Sequence, residues 1–495
     1  MQQQPLHPGQ LVMVDIEGTS LDADTAHFLR THHIRAVCLF RKNLGTAAEV
    51  RKLTADLRDV MGPLALIGLD QEGGSVIRAT FLPQAPAAMA LGACGDLEQA
   101  RKVGAAVSRG LRSLGINWNF APVVDVNNNP ANPVIAERSF SADPLAVARL
   151  AGAWMDGAMS EGVACCIKHF PGHGDTHTDS HRALPTVDKS LAELEQLELV
   201  PFRALAATAP AVMTAHIVYP QIDPEHPATL SRKVLTGILR EAIGYSGVVI
   251  TDALMMKAVH DRYGHARASV LTLQAGADLV LAQGERAEQL AALDAIGTAL
   301  ENGDLDPAAM REACDCVDSL ARRFPLHTAS YSEAQQAEDD SLMNAAWARG
   351  LTAVGNPTAP SRNQPLRVIA QGSVASDGVS EAGLPLEQVQ ALFAVFDDVQ
   401  YMPVATLHDL DVSTLPRDER CNVLVSNHHG RYGASSTAAG VDLHLAIWNP
   451  FQVMDIRAPA IVTWGYADGA LVALKAWLQA DATAPGVSPV DLTHA

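Results

Sequence analysis

The chain has 495 residues, 48% hydrophobic and 18% charged, with a formal net charge of −19. That length predicts two or three domains with ample buried cores, and the acidic balance argues against nucleic acid or anionic membranes as partners. A soluble enzyme acting on a neutral or locally recognised small molecule fits these bounds. The N-terminal MQQQPLHPGQLVMVDIEG lacks a basic region followed by an apolar one, so no secretory signal is expected. No stretch offers the roughly 18 uninterrupted apolar residues of a membrane span. The seven cysteines are scattered, with Cys165-Cys166 and Cys314-Asp-Cys316 as close pairs, and neither spacing is that of a zinc or thioredoxin-like motif. Reduced, mostly buried thiols in a cytoplasmic protein are the expectation.

In chain order, strands are predicted at 11–18, 36–40, 64–74, 116–126, 163–170, 211–220, 247–254 and 279–284. Between them lie segments with apolar residues three and four apart, including 46–61, 96–115, 143–162 and 190–207. Asp143 and Ser231 stand where helix N-caps are wanted. Eight strand-helix units over about 325 residues predict a TIM-type (β/α)8 barrel across residues 1–326. Periodicity stops around HTASYSEAQQAEDDS, so 327–343 reads as a linker. Strand-like runs resume in LRVIAQG, CNVLVSN, VDLHLAIW and PAIVTWG, predicting a smaller three-layer α/β domain over 344–495. Its last residues, ADATAPGVSPVDLTHA, read as a loose tail.

Catalytic groups of such barrels sit at the C-terminal ends of the strands. Those ends carry Asp15, Asp70, Asp125, Lys168-His169, His216 and Asp252. One polar residue ending one strand is an ordinary cap or edge; the same on strand after strand points to a shared pocket. Asp252, directly after an apolar run in GVVITDALMM, is the strongest nucleophile candidate, with helix capping as its bland alternative.

The segment KHFPGHGDTHTDSH places His169, His173, His177 and His181 four residues apart. On a helix that spacing would align four imidazoles, as a zinc site could use. Pro171, Gly172 and Gly174 break any helix, so the segment is a loop and the spacing carries no geometry. Near its tip, Asp179 and His181 have the composition of a carboxylate-imidazole pair, in which the carboxylate orients the ring for acid/base work. No metal or organic cofactor is expected. In the second domain, NHHG (427–430) and Asp397-Asp398 are read as ordinary loop residues.

KHFPGHGDTHTDSH, DQEGGSVIR (70–78), NPVIAERSF (132–140) and VVITDALMM (248–256) together resemble the β-N-acetylglucosaminidases of glycoside hydrolase family 3, whose loop signature is close to K-H-[FI]-P-G-H-G-x4-D-S-H. The likeness covers roughly residues 10–325. It implies that Asp252 is the nucleophile, His181 the acid/base and Asp179 its orienting partner. It further implies that Asp70 binds sugar hydroxyls and that Arg78, Arg138, Lys168 and His169 line the sugar subsite. The resemblance implies retaining removal of terminal N-acetylglucosamine from muropeptide- or chitin-type fragments. Two departures touch no proposed catalytic position: Ser75 stands where many relatives have arginine, and Ala253 where a second aspartate is common. A neutral histidine acid/base does not repel phosphate, so the same constellation also supports phosphorolysis. A non-catalytic sugar-binding protein is a further reading, against which the presence of both Asp252 and His181 argues.

Overall fold

The computed structural model describes residues 5–179, 183–376, 380–433 and 440–493. All eight predicted strands form: β1 (Val12–Asp15), β2 (Ala36–Cys38), β3 (Leu66–Leu69), β4 (Trp118–Asn119), β5 (Ala164–Phe170), β6 (Ala211–Thr214), β7 (Val248–Ile250) and β8 (Val280–Leu281). They run parallel in the spatial order β8-β1-β2-β3-β4-β5-β6-β7. A bridge between Ile250 and Leu279 joins the last strand to the lead-in of β8 and nearly closes the barrel.

Strand parity dictates which side chains face inward. Met13, Ala36, Leu66, Trp118, Phe120, Ala164, Cys166, Met213, Ile250 and Leu281 form one internal cluster. The alternate residues Val12, Val14, Ile67, Cys165, Ile167, Val249 and Val280 pack outward against the helices. Gly68 faces the interior because Phe120 fills it: a Cβ there would lie 2.7 Å from the end of that ring. The bottom is plugged by the helix Pro307–Arg323, whose Val317, Leu320 and Ala321 join the internal cluster together with Phe324.

The helices follow from local signals. In Ala47–Met61, Thr46 and Glu49 form a reciprocal capping box, and Gly62 terminates the helix with φ of 87°. Its buried residues, Val50, Leu53, Thr54, Leu57 and Met61, fall on one stripe against the barrel. Asp143 caps the helix Pro144–Ser160 as expected. The Ser231 hydroxyl accepts the Val234 N–H ahead of Lys233–Ala242, a helix of the wider π type.

The second sheet contains β9 (Thr352–Val354), β10 (Leu366–Gln371), β11 (Val399–Val404), β12 (Cys421–Ser426), β13 (Leu443–Ala446) and β14 (Ala460–Val462). Their order is β9-β14-β13-β12-β10-β11, parallel except for β9. One face packs on the helices Leu386–Leu392 and Asp468–Leu478; residues of the other meet Trp347, Phe451 and Ile456.

Two expectations are corrected. The polar stretch expected as a linker, 327–343, enters a helix, Glu333–Gly350, capped by Ser332. Its polarity is that of an exposed helix face, while Met343, Ala346 and Trp347 are buried. The C-terminal tail is a strap. The Gly486 and Val487 N–H groups bond to the Leu351 and Ala93 carbonyls, and Val490 and Leu492 are buried beside Met89 and Trp347. Two apolar residues and a few backbone bonds dock it, a signal too short for periodicity to register.

Candidate active site

Asp15, Asp70, Lys168 and Asp252 each lie two residues beyond an inward-facing position: Met13, Gly68, Cys166 and Ile250. All four line a cavity of about 760 Å³ at the C-terminal mouth, floored by Cys38, Phe120, Met213 and Leu281. Arg78, Arg138 and His169 also line it, as do Ser376, Ser380 and Glu381 from the second domain.

One wall is a charge lattice. Lys168 Nζ lies 2.7 Å from Asp70 Oδ1 and 2.6 Å from Glu72 Oε1. Arg138 grips Glu72 with two bonds, Nε at 2.9 Å and Nη2 at 2.8 Å. Arg78 bridges the domains, 3.8 Å from Asp70 and donating at 3.2 Å to Glu381. Burial would raise the Glu72 pKa, but Arg138 and Lys168 outweigh it and hold that carboxyl well below the usual range. Burial would likewise lower the Lys168 pKa, and Asp70 and Glu72 more than reverse it. Glu72 and Lys168 thus stay charged at neutral pH, fixed acceptor and donor at the wall of the cavity.

Asp125, fully buried, organises the next wall. It accepts His169 Nδ1 at 2.7 Å and the backbone N–H groups of His169 and His173, the latter at 2.7 Å. Burial would raise its pKa, but the His169 ring and these bonds bring it below the ordinary value. His173, lowered to about 4 by burial and by His169, is neutral and takes a hydrogen bond with Thr176 at 2.9 Å. Peptide bonds 121–122, 168–169 and 170–171 are cis.

The loop after β5 is tied down along its first half. Asn132 Nδ2 donates to the His173 carbonyl at 2.8 Å, and Tyr219 donates to Gly172 O at 2.6 Å. Gly174 is required because a Cβ would fall 1.7 Å from the Val126 oxygen. Asp175 pairs with Lys189 at 2.8 Å. His173 and Asp175 thus both take part in shaping the loop. Asp179, half-buried, ends the described part; its carbonyl accepts the Ala183 N–H at 3.1 Å. His181 lies outside the described residues.

Asp252 is half-buried, and its Oδ1 accepts the N–H of Ala253 at 2.8 Å. His216, buried, sits behind that segment with Nε2 at 3.0 Å from the Ala253 carbonyl and Nδ1 at 2.8 Å from Thr229 Oγ1. A carbonyl only accepts, so Nε2 carries the proton and His216 holds the turn that presents Asp252.

Sequence reading thus brought together Asp70, Arg78, Arg138, Lys168, His169 and Asp252, and it missed Glu72, Glu137 and Glu381. Glu72 had a readable signal: it stands two residues past Asp70 inside DQEGG. Glu381 had none, because only tertiary packing carries it to the mouth, where its N–H bonds to the Ser75 carbonyl at 2.9 Å. In the second domain, His428 bonds to Gln452 and Asp398 to Arg420. His429, however, packs on Trp448 and reaches toward Glu137 in the barrel.

Glu137 is fully buried where the domains meet. Oε1 accepts from Ser75 Oγ at 2.7 Å and Trp448 Nε1 at 2.9 Å; Oε2 lies 3.8 Å from His429 and takes no hydrogen bond. Burial pushes its pKa up, more than these neighbours pull it down. A folded carboxyl with a raised pKa binds its proton more tightly than the unfolded one. Its contribution is fully present below the ordinary carboxylate value and is lost as pH rises toward the raised one. Glu137→Gln keeps the acceptor and removes the charge. The variant is expected to match or exceed the wild-type Tm at pH 8, with the gap closing toward pH 4.5. A scan of Tm against pH checks this, and a large loss at every pH contradicts it.

Residues 6–320 match the family model described as "Glycosyl hydrolase family 3 N terminal domain". The chain belongs to glycoside hydrolase family 3. A solved family 3 β-N-acetylglucosaminidase from Paenibacillus sp. str. FPU-7 superposes with a TM-score of 0.86 at 32% identity, covering 99% of this chain and 98% of that one. A protein named Beta-hexosaminidase A from Pseudoalteromonas piscicida is 34% identical over 417 residues, 77% of this chain and 66% of that protein's length. A Beta-hexosaminidase from Pseudomonas aeruginosa is 37% identical over 288 residues, 58% of this chain and 86% of that protein. The family 3 barrel and its companion α/β domain are thus both present here. Among the described residues no helix is long and apolar enough to cross a membrane.

Proposed function

We propose that this family 3 member is a retaining exo-β-N-acetylglucosaminidase, cleaving terminal β-linked N-acetylglucosamine from muropeptide- or chitin-type fragments. The observation that carries the reading is that Asp252 lines the same barrel-mouth cavity as the Asp70–Lys168–Glu72–Arg138 lattice. A pyranose needs such an arrangement: paired donors and acceptors for its hydroxyls on one side, and one accessible carboxylate at its anomeric carbon. The likeness to the Paenibacillus enzyme over nearly the whole of both chains supports the choice of sugar.

An Asp252 oxygen attacks C1 while the glycosidic oxygen takes a proton from His181, giving a glycosyl-enzyme ester and a free aglycone. His181, now neutral, takes a proton from water as that water attacks C1, and Asp252 leaves as carboxylate. Two inversions leave the β configuration. Asp179 keeps the imidazole oriented and supports its charged form. Asp70 and Arg78 hold sugar hydroxyls, with Arg138, Lys168 and His169 shaping the subsite. The surroundings expected for such a substrate are cytoplasmic, in cell-wall recycling.

The test is hydrolysis of para-nitrophenyl N-acetyl-β-glucosaminide beside the β-glucoside, with and without phosphate, the first-formed anomer read by NMR. Preference for the acetamido sugar, initial β product and no effect of phosphate are expected. His181→Ala should keep partial rate on this good leaving group and lose nearly all on chitobiose. Initial α product refutes retention, and accumulation of a sugar 1-phosphate moves the assignment to phosphorolysis.

A further inference from the structure

Behind the cavity wall, where the first turns of two helices meet, lie His260, His265 and Glu288. Their ligand atoms all fall within 4.8 Å of one another, the one such grouping among the described residues. His260 and His265 belong to the helical stretch Lys257–Ala275, which bends at Gly264 (φ 67°) between them. Glu288 is in the first turn of Arg286–Asn302.

The three side chains divide their contacts as a ligand set would. Glu288 Oε2 caps its own helix, accepting the Glu285 N–H at 3.3 Å. That leaves Oε1 facing both rings, 2.8 Å from His260 Nε2 and 3.6 Å from His265 Nδ1. His265, with its side chain 2% exposed, has Nε2 at 2.7 Å from the Gln283 carbonyl. A carbonyl only accepts, so Nε2 carries the proton. Nδ1 has no hydrogen-bond partner although it is buried. With the proton on Nε2, Nδ1 is left buried 3.6 Å from the Glu288 carboxylate, and a cation shared with Oε1 would supply the partner it lacks. Imidazole tied through its far nitrogen to a backbone carbonyl is the arrangement that fixes a metal-ligating histidine.

We propose that His260, His265 and Glu288 bind one divalent transition-metal ion of the zinc type, with water completing a tetrahedron. Zinc bonds of about 2.0–2.1 Å put donors roughly 3.3 Å apart. The His265–Glu288 pair is already near that spacing, and His260, 39% exposed beside the bend at Gly264, is free to adjust. The ion links two helix starts to the cavity. Gln283 lines the mouth, the Gly284 N–H donates to Asp15 at 3.0 Å, and Met256 and Lys257, which open the first helix, line it too. It has no role in the proposed bond cleavage and is independent of that reading.

The experiment is calorimetric titration of chelator-treated full-length protein with zinc chloride, comparing wild type with His260→Ala, His265→Gln and Glu288→Gln. Each substitution is expected to weaken one zinc equivalent by tenfold or more, and zinc should raise the wild-type Tm but not that of the variants. Anomalous scattering at the zinc edge should place the ion among the three side chains. His265→Gln risks misfolding; the half-exposed His260→Ala does not. Unchanged affinity and stoichiometry in folded His260→Ala and Glu288→Gln, or zinc found only elsewhere, overturns the proposal.

Discussion

Asp252→Ala is expected to lower kcat on the nitrophenyl N-acetylglucosaminide by about 10⁴-fold or more, with little effect on stability. The size follows from the surroundings. Asp70 is bound to Lys168, Glu72 to Lys168 and Arg138, and Asp125 to His169. Each of these carboxylates is held by a cation or ring and is poorly placed to substitute. Asp252 is half-buried, and a truncated side chain there opens space into an existing cavity without exposing a core. Azide should enter that space and yield the α-glycosyl azide, one displacement in place of two. In His181→Ala the proposed covalent intermediate is still expected to form, so azide should instead give the β product. The product anomer thus separates the two roles. An Asp252→Ala enzyme retaining a tenth of wild-type rate, or giving β-azide, excludes Asp252 as nucleophile.

Glu72→Gln is expected to destabilise the fold by about 3 kcal/mol as well as to reduce activity. Lys168 and Arg138 are both nearly inaccessible, with side chains 2% and 6% exposed, and Glu72 is the carboxylate common to them. Removing its charge leaves Asp70 facing a surplus of buried cation, and losing one partner of a buried ion pair costs more than the pair itself contributes. The pH dependence follows in sign. A carboxyl with a depressed folded pKa contributes stability that is fully present above its ordinary value of about 4.3, and loses it as pH falls below that point. Wild type should therefore lose Tm on acidification from pH 5 more steeply than Glu72→Gln. Chemical denaturation at pH 7 and thermal scans down to pH 3.5 measure both. A variant as stable as wild type at pH 7 would mean that the lattice relaxes around the missing charge.

Local chemistry determined most of the barrel. Each strand is a short apolar run, each helix has its cap and stripe, and one polar residue at strand after strand marks the mouth, because parity carries Asp70, Lys168 and Asp252 onto the inner face. The four motifs then put the chain in its family. What one segment's pattern could not show was where distant segments meet. Glu381 and Trp448 reach the barrel from the second domain, and Val490 with Leu492 turns a polar tail into a strap. The 333–350 helix is hidden by a mostly exposed surface. The histidines show the same division. His169, His173, His177 and His181 are evenly spaced, but a loop has no helical period, and His173 gives its backbone N–H to Asp125 while its ring bonds with Thr176. His260 and His265, unremarked in the sequence, come within reach of one carboxylate because a bend at Gly264 and the start of another helix bring them there. Spacing along a chain converts to distance only where the backbone is regular. Elsewhere it is the burial of remote apolar surface that decides which side chains become neighbours.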